Sequence, residues 1–285
     1  MTNNVTHREA NLTGVGGLRI YWQSWLPDAP ARAVVVIAHG AGEHSGRYPH
    51  VATRLVAEGY AVYAIDHRGH GRSEGSRALI DRVDNAVADL DSLIELAAAT
   101  HPGVPLFLLG HSMGGTIAVS YTLAHQRKLA GLILSGPLAA MPPSAASTRI
   151  IAKALSTIAP KAPAIAVDAT LVSRDPAVVK AYVEDPLVHH GKLPVRTVAE
   201  LGDAISTFPD RVSTIAIPTL IVYGTDDALC PPEGSKMLGE RIGATDKTVN
   251  AYEGLHHEVL NEPERDKVLD DMCSWLGAKV AAVTV

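Results

Sequence analysis

Four short runs, "AVVVIAHG" from Ala33, "YAVYAIDHR" from Tyr60, "PLFLLGHS" from Pro105 and "LAGLILSG" from Leu129, open with apolar stretches bare of polar residues on both faces. A strand that alternates apolar and polar residues can leave one face in water, whereas a strand apolar on both faces must be covered twice. Between the runs lie longer stretches with helical spacing, Tyr48 to Glu58, Arg82 to Thr100 and Met113 to His125. Strand and helix in alternation imply crossover connections, so the pattern predicts an α/β fold with a mostly parallel central sheet flanked by helices.

The flanks extend this plan. "LRIYWQSWLP" at 18–27 alternates in part and predicts an antiparallel edge hairpin, with Gly16-Gly17 as its turn. After Gly136 the rhythm fails in a segment rich in Ala, Pro and Ser, with helical apolar spacing at Ile150, Ile151, Leu155 and Ile158. The expectation is a helical cap at 137–208, inserted into a core formed by 1–136 and 209–285. "IPTLIVYG" resumes the sheet, Pro232 to Ile242 reads as helix, "KTVNAYEG" as a last strand and Glu262 to Val280 as a closing helix.

Composition narrows the function classes. With 285 residues, 47% hydrophobic and 19% charged, the chain can bury a full core and has the balance of a globular protein. A net charge of −5 repels phosphate backbones, so no nucleic-acid partner is expected. "MTNNVTHREANL" lacks the build of a signal peptide, and no apolar run approaches the ~20 residues that span a bilayer. A cytoplasmic location is expected. Cys230 and Cys273 form neither a disulfide framework nor a metal-ligand spacing and read as reduced thiols.

In an open parallel sheet, ligands sit beyond the carboxyl ends of the strands. At one such end Gly110-His111-Ser112-Met113-Gly114 fits G-x-S-x-G, a strained strand-to-helix turn that leaves a serine hydroxyl exposed at its tip. A serine alcohol needs a histidine to take its proton and a carboxylate to orient that histidine, in the chain order Ser, Asp, His. Asp226 and Asp227 follow one later strand, and His256 and His257 the next. Spacing alone does not decide within either pair. Two backbone N–H groups must also face the oxyanion of the tetrahedral intermediate: Met113 supplies one, and Ala41 in "AHGAGEHSGRY" is best placed for the other.

Together "HGAGEHSGRY", "DHRGHGRSEG", "GHSMGG", "GTDDALC" and "YEGLHHE" resemble the monoacylglycerol lipases of the α/β-hydrolase fold, over nearly the whole chain. The resemblance implies Ser112 as nucleophile, Asp227 as acid, His257 as base, and Ala41 and Met113 as oxyanion donors. It places Glu43 and Arg47 near the polar end of the pocket, where a glycerol group would lie; the competing reading is a loop-stabilising ion pair. The implied reaction is hydrolysis of monoacylglycerol to fatty acid and glycerol through an acyl-enzyme, with a small lipid as partner and no cofactor. The apolar cap segments read either as plain core or, by the resemblance, as a lid that meets micelles or membrane, which would make the protein peripherally membrane-associated. One position departs: Leu260 stands where animal members carry a further histidine. Cys230 reads either as a small buried hydrophobe or, by the resemblance, as a thiol sensitive to bulky reagents.

Rival readings are a broader carboxylesterase or lysophospholipase, and a non-catalytic lipid-binding module on the same fold. "GHGRSEG" at 69–75 has the wrong glycine spacing for a dinucleotide loop and reads as a turn. His44, His67, His70, His189 and His190 show no metal-binding spacing, so no metal is expected.

Overall fold

The computed structural model describes residues 5–141 and 153–283. Strands β1 (Thr6–Thr13) and β2 (Arg19–Leu26) form the expected antiparallel hairpin, and Gly16 and Gly17 take positive φ in its turn. The doubly apolar runs become β3 (Ala33–Ala38), β4 (Tyr60–Ile65), β5 (Leu106–His111) and β6 (Gly131–Ser135), buried along their whole length. With β9 (Thr219–Gly224) and β10 (Lys247–Tyr252) they complete an eight-stranded sheet of order β1-β2-β4-β3-β5-β6-β9-β10. From β4 to β10 every neighbouring pair is parallel.

Alternate residues of one strand feed two cores. Val34, Val36 and Ala38 pack with α2 (Val83–Thr100) and α3 (Met113–His125), while Ala33, Val35 and Ile37 pack with α1 (Pro49–Ala57) and the C-terminal helix. Each buried Val, Leu or Ile in these layers contributes roughly 1.5–3 kcal/mol. This double cover is why the strands carry no polar face, and it leaves their carboxyl ends as the place where loops can build a site.

Between β6 and β9 the described chain forms a helical turn at 153–158, a small antiparallel sheet of β7 (Pro163–Ile165) and β8 (Leu193–Pro194), and helices α4 (Pro176–Glu184) and α5 (Val195–Arg211). Of the apolar spacing expected here, Ile150 and Ile151 lie outside the described residues. Leu155 and Ile158 are 43% and 84% exposed, so their side of the turn faces out. Helix α5 runs through position 208 to Arg211 and sends Leu201, Ile205 and Phe208, one stripe at helical spacing, into the core with α2 and α3.

The chain closes with α6 (Pro232–Arg241) and α7 (Arg265–Val283). The last helix begins three residues later than the sequence pattern suggests. Glu262 precedes a proline, which disfavours helical backbone, and its buried carboxylate instead accepts from the Arg174 backbone N–H (2.7 Å) and Nε (2.5 Å). Among the described residues no helix is long and apolar enough to cross a membrane.

Candidate active site

Ser112 sits between β5 and α3 with φ 53° and ψ −121°, a conformation that L-residues rarely adopt. Its backbone is pinned there. The Ser112 N–H donates to the Ser135 carbonyl (3.2 Å), and its own carbonyl accepts from Gly115, Thr116 and Leu138. A side chain at Gly114 would meet the Ala38 carbonyl oxygen at 2.0 Å, so only glycine lets α3 begin this close to β3. The turn aims the hydroxyl away from the helix, and Ser112 Oγ lies 3.6 Å from Cys230 Sγ.

The two pairs that spacing left open are separated by the fold. Asp226 is exposed, whereas Asp227 is buried on the loop after β9. Asp227 Oδ1 accepts from the backbone N–H groups of Leu229 (2.9 Å) and Cys230 (2.8 Å), and Oδ2 lies 2.8 Å from His257 Nδ1. His256 lines an outer groove beside α4. His257 is buried, with Nε2 4.0 Å from Cys230 Sγ. No direct Ser112–His257 hydrogen bond forms among the described residues; the Cys230 sulfur approaches both. Burial opposes a charge on His257, but the Cys230 sulfur and the Asp227 carboxylate outweigh it and hold its pKa well above the usual 6.5.

The loop after β3 closes over the serine. A side chain at Gly40 would stand 3.1 Å from Ser112 Cβ, so this backbone passes directly over the turn. The Gly40 N–H donates to Glu43 Oε1 at 2.6 Å, which fixes the loop. The N–H groups of Ala41 and Met113 find no acceptor among the described residues and remain available.

Glu43 and Arg47 form the ion pair of the competing reading, and more. Arg47 Nη1 donates to Glu43 Oε2 (2.8 Å) and to Glu258 Oε1 (2.6 Å), Nη2 donates to Glu258 Oε2 (2.8 Å), and the guanidinium lies 4.8 Å from the centre of the Tyr182 ring on α4. Tyr48 Oη donates to Glu43 Oε1 (2.7 Å). Burial works against the Glu43 charge, yet Arg47, with His111 and His39 behind it, holds the carboxyl down to about 2. The histidine loop, the loop after β3 and α4 thus meet at one guanidinium.

Ser112, Cys230, His257, Glu43 and Glu258 line a cavity of about 190 Å³. Its remaining wall is mainly apolar, drawn from Leu138, Ile165, Val172, Leu193, Val198 and Leu201. Ala41 lines it too, while Arg47 stands behind Glu43 and Glu258. The segments between β6 and β9 that supply this wall are tied to the site: His44 Nε2 lies 2.8 Å from Asp185 Oδ2, the His189 N–H donates to the Gly42 carbonyl (2.7 Å), and the Glu258 N–H donates to the Val172 carbonyl (2.8 Å). A carboxylate on one imidazole nitrogen, a second imidazole nitrogen whose neighbour is a sulfur, and a hydroxyl beside a mainly apolar cavity make up the parts for acyl transfer from an ester.

A sequence family described as serine aminopeptidase, S33, matches residues 29–264. A monoacylglycerol lipase of Mycolicibacterium smegmatis is 44% identical over 272 residues, covering 95% of this chain and 97% of that protein. The chain belongs to the monoacylglycerol lipase family of α/β-hydrolases. The mouse monoglyceride lipase is 33% identical over 284 residues, covering 98% of this chain and 94% of its own. Among solved structures, the monoacylglycerol lipase of Paleococcus ferrophilus superposes with a TM-score of 0.81 at 32% identity, covering 97% of this chain and 99% of that one.

Of the histidines outside the site, His44 bridges to Asp185 and His70 Nδ1 lies 3.0 Å from the Arg68 carbonyl, while both ring nitrogens of His67 are buried with no hydrogen-bond partner among the described residues. The "GHGRSEG" loop folds as a turn in which the Gly69 N–H donates to the Glu74 carbonyl and the Ala78 N–H to that of Gly69. Leu260 is buried in the core, and its carbonyl lies 2.8 Å from His50 Nε2. Sequence reasoning missed Glu258 and Tyr182. Glu258 carried one usable signal, an acidic residue directly after the histidine; its Arg47 partner, 211 positions away, is visible only in the fold.

Proposed function

We propose that this chain hydrolyses monoacylglycerol to fatty acid and glycerol through an acyl-enzyme at Ser112. The observation that carries the reading is the Asp227–His257 pair set beside Ser112 in an apolar cavity. Asp227 holds the proton on His257 Nδ1, leaving the Nε2 lone pair to take the proton of Ser112 as its oxygen attacks the ester carbonyl. The Ala41 and Met113 N–H groups receive the oxyanion, and losing one such donor costs about 3 kcal/mol of transition-state stabilisation. His257 then returns the proton to the departing glycerol oxygen, and water deacylates the serine. The step requires Ser112 Oγ to exchange the Cys230 sulfur for His257 Nε2, a rotation at the serine side chain.

In this reading residues 137–208 act as a cap on the core of 1–136 and 209–285. Ile165 both lines the cavity and is 51% exposed, which supports an apolar mouth that meets a micelle or membrane surface. Both cysteines are free, in keeping with a reducing cytoplasm. Glu43 offers its carboxylate to the glycerol hydroxyls, with Arg47 holding it in place.

A broader esterase or lysophospholipase is the second reading. The observation that favours it is that Arg47 is turned to two carboxylates and stands outside the cavity lining, and Leu260 is apolar, so few donors await a glycerol group. A fluorophosphonate probe that labels the parent and spares Ser112→Ala supports the serine chemistry; equal labelling overturns it. Turnover on mono-, di- and triacylglycerols beside lysophospholipids and simple esters decides the substrate, with preference for monoacylglycerol expected.

A further inference from the structure

Cys230 neither attacks the ester nor carries a proton in the acyl-transfer steps, yet its sulfur stands 3.6 Å from Ser112 Oγ and 4.0 Å from His257 Nε2. One donor atom each of Asp227, Cys230 and His257 lies within 4.8 Å of the other two. Zinc binds thiolate at about 2.3 Å and imidazole at about 2.0 Å, so a tetrahedral site holds two such donors about 3.5 Å apart. Side-chain rotation of about 0.5 Å closes the difference between Cys230 and His257.

The surroundings favour a metal in two further respects. Asp227 holds His257 Nδ1 and has its other oxygen filled by two backbone N–H groups, so it acts behind the histidine, as the carboxylate of a carboxylate–histidine–metal triad does. This fixes the tautomer that leaves Nε2 bare towards Cys230. Glu43 and Glu258 line the same cavity and outnumber the single Arg47 cation behind them, giving a field that attracts positive charge.

We propose that Cys230 Sγ and His257 Nε2, with Ser112 Oγ and a water, form an inhibitory site for a soft divalent cation such as Zn²⁺. On binding, the Cys230 thiol and any protonated His257 Nε2 give their protons to solvent, and the metal bonds to the sulfur as thiolate and to the nitrogen through its lone pair. The ion takes the Nε2 lone pair that proton transfer needs and caps the serine oxygen, and hydrolysis stops until a chelator removes it. Binding depends on the geometry alone, whereas the inhibitory consequence rests on the proposed roles of Ser112 and His257.

Two measurements test this separately. CoCl₂ added to the parent should produce a thiolate-to-cobalt charge-transfer absorption that persists in Cys273→Ala and is absent in Cys230→Ala and in His257→Gln. In chelator-buffered ZnCl₂, ester hydrolysis by the parent should fall and return with EDTA, while Cys230→Ala should need about tenfold more free zinc, or beyond, for the same loss. Absence of the cobalt band in the parent, its survival in Cys230→Ala or His257→Gln, or equal zinc sensitivity of parent and Cys230→Ala overturns the proposal. A parent without esterase activity refutes the hydrolase reading, and the cobalt spectrum still decides the metal site.

Discussion

Arg47 grips Glu258 through two hydrogen bonds of 2.6 and 2.8 Å, fork to fork, and the same guanidinium holds Glu43. All three side chains are at least nine-tenths buried. Removing one partner from such a group leaves charge without compensation, a loss of about 3–5 kcal/mol. Arg47→Met strands two carboxylates and should lower unfolding stability by that amount, read from the urea midpoint. Arg47→Lys should restore little of it, because an ammonium cannot make the paired contact with Glu258. A midpoint unchanged in Arg47→Met would show that the cluster is not a structural joint.

The pH response of the reaction follows from His257, whose pKa is held above its usual 6.5 by Cys230 and Asp227 against the effect of burial. In the proposed mechanism His257 acts as a neutral base, so kcat/KM should rise with pH through a midpoint above 6.5 and level off beyond it. Asp227→Asn removes one of the two groups that raise the pKa and releases the tautomer; kcat should fall by about 10⁴-fold, as loss of an orienting carboxylate does in serine hydrolases. The pairing also affects stability. A histidine with a raised folded pKa stabilises the native state fully below the unfolded value near 6.5, and this contribution disappears as pH rises through the folded pKa. Asp227→Asn should therefore narrow the stability difference between acid and alkaline sides of that window, measured by denaturation across pH.

The strand ends were legible from residues because the sheet's double burial writes itself as unbroken apolar runs, and the strained serine turn writes itself as glycines at fixed offsets. Asp227 could be told from Asp226 only by resemblance, since a loop's direction depends on backbone bonds with no periodic signature; the fold sends one carboxylate inward to two N–H groups and His257. Glu258 was invisible as a partner because its meeting with Arg47 depends on two loops from opposite ends of the chain. The direction of the 153–158 turn was not legible for a similar reason: apolar spacing marks a face, but not what that face meets.

Backbone strain at Ser112 gives a stability test independent of substrate. A non-glycine residue at φ 53° and ψ −121° costs about 1–3 kcal/mol, part of which glycine gives back through its larger unfolded-state entropy. Ser112→Gly should be about 1 kcal/mol more stable than Ser112→Ala by chemical denaturation. Both should be inactive towards esters. Equal stability would mean that the turn carries no strain for the hydroxyl's placement.

The apolar wall of the cavity makes chain length the property most open to change. Val198 lies on α5 and faces the cavity rather than the reacting atoms, so trimming it removes contact with an acyl chain without touching Ser112, Asp227 or His257. Each methylene lost from apolar contact is worth about 0.8 kcal/mol, and Val198→Ala removes two methyl groups. The expected result is roughly a tenfold fall in kcat/KM for long-chain monoacylglycerols, with acetyl and butyryl esters little affected because their chains do not reach α5. Parallel loss on short and long esters would place Val198 in the support of the reacting groups, and the cap would then act as structure instead of a gauge of chain length.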